Sequence, residues 1–240
     1  MSDSADWCDA TRPGSGSFDA VVFDLDGVIV DTERVVLQVW ADEFARYGCS
    51  FTTDEWSAVV GSGHGFDPVA AIRERCTVPV PSPAALRQET DLRLELLLTG
   101  LKPLPGVREW LDEAESLNIV VGVASSSPRD WVESRLTQAG LDGRFRIVSC
   151  RDEGLRAKPA PDIYLNACRR LNVEPNRALA IEDSTNGVVA AKEAGLWCLA
   201  VPNVVTEGYD LSGADLIVES LVAVSIDEVK RRVSKDRMQP

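Results

Sequence analysis

The sequence predicts an α/β protein: a Rossmann-like, doubly wound parallel sheet core with an all-helical cap domain inserted after the first strand. Three observations carry this. From residue 103 onward, short apolar runs alternate with amphipathic helical patterns, the texture of a parallel sheet covered on both faces. Residues 31–102 carry helical spacing and no convincing strand. The first apolar run delivers Asp24 and Asp26 to its carboxyl end, with Gly27 next for a tight turn. Ligands of open α/β sheets bind in the crevice beyond such strand ends, and two buried acids are costly there unless a cation or a reacting group uses them.

The elements follow in order. Residues 1–17 are polar, contain Gly, Ser and Pro, lack the apolar centre of a secretory signal, and read as a disordered leader. The core then comprises 18–30 and 103–240, with the cap at 31–102. Residues 20–24 make the first strand. From 31 to about 47 the spacing of Val35, Val39, Trp40, Phe44 and Tyr47 is helical, and further helices are expected at 53–60, 68–75 and 84–98, with Pro79, Pro81 and Pro83 breaking the chain. In the core, strands are expected at 119–124, 146–149, 178–182, 197–201 and 216–218. Helices are expected at 107–117, 130–139, 161–171 and 187–194, and a closing helix from 225.

The bulk numbers narrow the partners. A formal charge of −13, from 25 basic and 38 acidic residues, argues against nucleic acid, which needs clustered Lys and Arg. No stretch approaches 18 consecutive apolar residues, so no membrane-spanning helix is expected. The 6 cysteines show no C-x-x-C spacing and read as dispersed buried thiols of a reducing, cytoplasmic compartment. The single histidine, His64, excludes His-rich zinc sites. A monomer is the default, with dimerisation left open by the apolar cap helices.

Polar residues gather at four places next to these elements: Asp24/Asp26; Ser125-Ser126-Ser127 after the strand at 119–124; Lys158 ahead of Pro159 and Pro161; and Glu182-Asp183-Ser184 after the strand at 178–181. Taken singly these are a helix cap, a solvated lysine and a loop. Together they converge on one crevice.

The segments FDLDGVIVDTE, VASSS, KPAPDIY and IEDSTNG resemble those of the haloacid dehalogenase (HAD) superfamily of phosphotransferases, in the subgroup whose helical cap follows the first strand. The likeness covers roughly 18–228 and is nearest to sugar-phosphate phosphatases and β-phosphoglucomutase. It implies Asp24 as the nucleophile forming an aspartyl-phosphate, and Asp26 as the acid that protonates the leaving oxygen and then activates water. It implies Mg2+ held by Asp24, the backbone carbonyl of Asp26, Asp183 and Glu182, directly or through water. Ser125 would donate to the phosphoryl oxygens and Lys158 would supply charge. Ser126 and His64, the latter in the Gly-rich segment 61–65, are candidate substrate contacts. The aromatic residues Trp40, Trp56 and Phe66 read as cap core.

The expected activity is therefore Mg2+-dependent hydrolysis of a small phosphorylated metabolite, foremost a sugar phosphate. A dehalogenase needs neither Asp26 nor the Glu182-Asp183 pair. A phosphonatase needs a cap lysine, and no lysine occurs between residues 1 and 101. The alternative is a β-phosphoglucomutase-like transfer, but the resemblance would place a histidine about twelve residues after the nucleophile, where Val36 stands, and an arginine near His64. A catalytically silent binding protein on this fold ranks last, since it has no physical reason to keep the acids together.

Overall fold

The computed structural model describes residues 18–57, 60–61 and 66–235. The leader 1–17 and His64 lie outside them. Among the described residues, six strands form one parallel sheet in the order β3-β2-β1-β4-β5-β6. These are β1 (Ala20–Phe23), β2 (Val120–Ser125), β3 (Ile147–Cys150), β4 (Ala178–Glu182), β5 (Trp197–Ala200) and β6 (Leu216–Ile217). The core helices are α5 (Val107–Ser116), α6 (Arg129–Gln138), α7 (Asp162–Leu171), α8 (Thr185–Glu193) and α9 (Ile226–Lys235). The expected bounds are met to within two residues for most of these elements. The last strand is short because only Leu199 and Ala200 of β5 pair with it.

The strands read as continuous apolar runs because both faces are covered, and the two-residue period sorts their side chains. Val21, Phe23, Leu179, Ile181, Trp197 and Leu199 face α5, α6 and α9, joining Trp110, Leu111, Val132, Ile226 and Val229 in one core layer. Ala20, Val22, Ala178, Ala180, Cys198 and Ala200 face α7 and α8 in the other. The second face is lined by small residues, so these helices lie close to the sheet. Chain order reverses at β1: it leads to β2 and β3 on one side, then crosses to β4 on the other. Such a switch point opens a crevice at the strand ends.

Between β1 and α5 the chain forms α1 (Thr32–Arg46), α2 (Thr53–Ser57), α3 (Pro68–Arg75) and α4 (Pro83–Leu97). Both α3 and α4 start as their sequence dictates, with Pro at the first turn and a capping side chain before it. Asp67 accepts from the backbone N–H of Val69 at 3.0 Å, and Ser82 from that of Ala85 at 3.3 Å. Phe44, Tyr47, Val69, Ile72 and Leu86 give the insert its own core. A smaller cluster of Val39, Leu94 and Leu98, with Val35 and Val36 against it, reaches Trp131 of α6.

One expectation is corrected here. Cys49 and Cys76 are joined in a disulfide across 27 residues of sequence, whereas dispersed thiols were expected; Cys150, Cys168 and Cys198 are free and buried. No spacing signals this pair, because α1 and α3 both pack on α4, with Phe44, Ile72 and Leu86 in one cluster, and only that folded arrangement brings the two cysteines together.

Candidate active site

Strand register places the polar clusters on one level. Phe23 pairs with Val123 on one side and Ile181 on the other, so Asp24 is level with Ala124 and Glu182. The Asp24 N–H donates to the Ile181 carbonyl at 2.9 Å, which carries the ladder one residue beyond the strand. Gly27 then turns with φ +86°, and a Cβ there would lie 2.2 Å from Oδ2 of Asp183. Only glycine lets this backbone pass so close to that carboxylate.

Lys158, just ahead of α7, is fully buried and donates to Asp24 Oδ1 at 2.5 Å and Glu182 Oε1 at 2.6 Å. The Tyr164 hydroxyl donates to the same Glu182 oxygen at 2.6 Å. The other Glu182 oxygen accepts from the Asp183 N–H at 3.2 Å and the Ser184 hydroxyl at 3.4 Å. It lies so tightly under α8 that a Cβ on Gly187 would meet it at 1.9 Å. Asp183 Oδ2 accepts from Asn203 Nδ2 at 2.6 Å.

Burial, opposed by Lys158 and reinforced by Glu182 and Asp26, raises the Asp24 pKa to about 7. Burial and its acidic neighbours raise Asp183 well above the usual carboxyl range. Burial works against the charge of Lys158, but Asp24 and Glu182 outweigh it and hold its pKa above the ordinary lysine value. Ligating oxygens of Asp24, Glu182 and Asp183 lie within 4.8 Å of one another. Fully ionised, the three carboxylates and Lys158 carry −3 + 1 = −2, so hard oxygens and excess negative charge suit a divalent cation.

Asp26 is held separately. Its Oδ1 accepts from the Thr32 hydroxyl at 2.6 Å and the Trp131 indole N–H at 2.9 Å, and its Oδ2 from the Ser127 hydroxyl at 2.8 Å. A cavity of about 310 Å³ opens over both acids. Its floor includes Asp24, Asp26 and Ser125, and its upper wall Val36, Trp56, Phe66 and Leu94 from the insert. Glu33 and Arg151 are its further charged lining. The pKa of Glu33 is raised to about 8 by burial, then by Asp26, Asp24 and Asp31.

The profile of haloacid dehalogenase-like hydrolases matches residues 18–195. The chain belongs to that family. Among its relatives is YhcW of Bacillus subtilis (strain 168), which carries a phosphatase name and is 35% identical over 210 residues, 86% of this chain and 94% of that one. The fructose-1-phosphate phosphatase YqaB of Escherichia coli (strain K12) is 30% identical over 179 residues, 73% of this chain and 92% of its own. The crystal structure of CbbY from Rhodobacter sphaeroides in complex with xylulose-(1,5)bisphosphate superposes with a TM-score of 0.73 at 28% identity, covering 88% and 99% of the two chains. As a HAD hydrolase with relatives of this kind over most of its length, the chain is an enzyme of the phosphatase type.

Of the residues expected at the HAD site, Asp24, Lys158, Glu182 and Asp183 come together in one buried cluster, with Asp26 and Ser125 beside it on the cavity floor. Ser126 also lines the cavity, but its hydroxyl donates to the Gly61 carbonyl at 2.8 Å and accepts from the Lys158 N–H at 3.2 Å. That bond ties insert to core. Asn186 makes a similar tie, donating to the Val60 carbonyl at 2.9 Å. Trp40 packs in the insert core as expected. Trp56 and Phe66 are corrected in part: they pack there or beside it and also face the cavity. Residues not anticipated are Thr32, Ser127 and Trp131 around Asp26, Tyr164 at Glu182, Asn203 at Asp183, and Glu33 and Arg151 in the lining. Thr32, Glu33, Ser127 and Tyr164 lie inside the motifs quoted above; Trp131, Asn203 and Arg151 carry no local signal.

Proposed function

We propose that this chain is a Mg2+-dependent phosphomonoester hydrolase of small phosphorylated metabolites, foremost sugar phosphates, working through an aspartyl-phosphate on Asp24. The observation that carries the reading is the placement of Asp24: a buried carboxylate, ion-paired to a buried Lys158, at the floor of a cavity that also holds Asp26. Asp24 is the group that attacks phosphorus, while Asp26 passes its proton to the departing oxygen. A water then attacks the phosphoryl group, Asp26 takes up a proton, and Asp24 and inorganic phosphate are released. Lys158 and the Ser125 hydroxyl offset charge on the transferring oxygens from fixed positions.

Asp24, Asp183 and the backbone carbonyl of Asp26 would hold the ion. Mg2+ supplies the charge neutralisation that lets acids and phosphate share the site. Both oxygens of Glu182 already serve protein donors, so it holds Lys158 and would contribute to the ion through water. The helical segment 31–102 acts as the cap, with Trp56, Phe66 and Leu94 closing the cavity over a substrate of metabolite size. The names of YqaB and of the CbbY complex both specify sugar phosphates, which supports that class here. Val36 lines the cavity where a mutase of the β-phosphoglucomutase type would present a histidine, which favours hydrolysis over transfer. A cytoplasmic monomer remains our assignment, with three buried free thiols on its side and the Cys49–Cys76 disulfide against it.

The test is phosphate release from a panel of sugar phosphates with Mg2+, with EDTA, and with Asp24→Asn. Release that needs Mg2+ and is abolished by Asp24→Asn is the expected result. Wild-type rates in the variant would sink the nucleophile assignment. Isomerisation of β-glucose 1-phosphate without net phosphate release would replace hydrolysis with a mutase.

A further inference from the structure

The proposed chemistry needs Asp26 to hold a proton on a defined oxygen, and the donors around it are not equivalent. A carboxylate offers about four lone-pair sites. Three are engaged: two on Oδ1, by Thr32 at 2.6 Å and Trp131 at 2.9 Å, and one on Oδ2, by Ser127 at 2.8 Å. The Thr32 and Ser127 hydroxyls can turn from donating to accepting when Asp26 gains a proton, but an indole N–H can only donate. Oδ1 is thus a permanent acceptor, and the one lone pair left open is on Oδ2.

Trp131 is in turn fixed from above. The guanidinium of Arg135, one helical turn further along α6, lies over its ring with 4.3 Å from Cζ to the centroid. Arg135 is only 1% exposed, and it is ion-paired to Glu95 of α4 in the insert and donates to Gln138 at 2.8 Å. Leu94 and Leu98 of the same insert region form the small cluster against which Trp131 packs. An unbroken series of contacts therefore runs from the insert through Glu95, Arg135 and Trp131 to Asp26.

We propose that Trp131 is a positioning residue that assigns the mobile proton of Asp26 to Oδ2, and that the insert sets its placement through the Glu95–Arg135 pair. This rests on the phosphatase reading of the same site. Trp131 lines the cavity beside Asp26, and its role there is to fix which carboxyl oxygen delivers the proton to the leaving group. The role is confined to steps in which that group needs a proton.

The experiment uses the full chain with Mg2+ and a series of phosphate esters from p-nitrophenyl phosphate, whose phenolate leaves unaided, through phenyl phosphate to alkyl phosphates. Trp131→Phe keeps the ring and its packing and removes only the N–H. Its kcat/KM on alkyl phosphates, which reports the step that expels the leaving group, should fall about tenfold, part of what an acid/base contributes, with kcat/KM on p-nitrophenyl phosphate nearly unaffected. The rate thus depends more steeply on leaving-group basicity, which a purely structural residue would not alter. Glu95→Gln, on an exposed side chain, should steepen the dependence in the same direction by a smaller factor. An equal loss across the series, or no loss, in Trp131→Phe overturns the positioning role. A Glu95→Gln series that overlays wild type overturns the part assigned to the insert. If wild type releases phosphate from no member of the series, the phosphatase reading fails and takes this inference with it. Wild-type hydrolysis with a flat Trp131→Phe response overturns the inference alone.

Discussion

Lys158 is a cation without water around it. Its side chain is 0% exposed, and Asp24 and Glu182 are its counter-charges. An ion pair at such depth is weak evidence for stability, but removing one partner strands the others. Lys158→Met should therefore cost about 3–5 kcal/mol in the metal-free protein, read as a lower urea midpoint, and should abolish phosphate release. A midpoint equal to wild type would show that Lys158 is not needed to hold the two carboxyl groups in the core. Glu33 makes a separate prediction. Its folded pKa of about 8 stands above the ordinary value of 4.5, so it contributes stability that is whole below 4.5 and is lost as pH rises through about 8. Over that window the Tm of the metal-free wild type should fall relative to Glu33→Gln. Parallel Tm curves would show that Glu33 ionises normally.

At the scale of elements, the turn after β1 sets how near that loop can come to the residues just beyond β4 and β5. Gly27 has φ +86°, with Asp183 Oδ2 and Asn203 Nδ2 at 2.2 and 2.6 Å from the position of a Cβ. Gly143 has a similar φ of +71° and open space around it, which separates backbone strain from crowding of the site. Gly143→Ala should cost about 1 kcal/mol of stability and leave turnover intact. Gly27→Ala should carry the same strain and also displace Asp183, lowering phosphate release by about a hundredfold. Equal activity in the two variants would show that Asp183 tolerates the shift. The helices add directional control of the same kind, since α7 brings Tyr164 under Glu182 and α6 brings Trp131 to Asp26.

Across the whole molecule, folding gathers three carboxyl groups around one lysine, so a divalent cation that lets all three ionise should stabilise the native state. Mg2+ at about a hundred times its Kd should add about 2.7 kcal/mol, seen as a rise in Tm that EDTA reverses and Asp183→Asn removes. No Mg2+-dependent change in the wild type would overturn the metal assignment independently of any activity assay.

The fold was legible because the patterns that specify it are local. Apolar runs with polar punctuation mark β1, β2 and β4, helical spacing marks α1 and α4, and Pro68 opens the helix expected from it. The acids Asp24, Asp26 and Asp183 were legible for a related reason: each sits at or just beyond a strand end, where an apolar run stops on a charge. The sequence alone thus determined a parallel sheet, a helical insert after its first strand, and one crevice of carboxylates with a lysine and serines. Tertiary structure alone decided strand order, the Cys49–Cys76 pairing, and how each acid is held: Asp24 by Lys158, Asp183 by Asn203, Asp26 by Trp131. Those partners lie 134, 20 and 105 residues away in sequence. A hydrogen bond needs an approach of about 3 Å, and only the packing of whole elements brings such distant side chains that close.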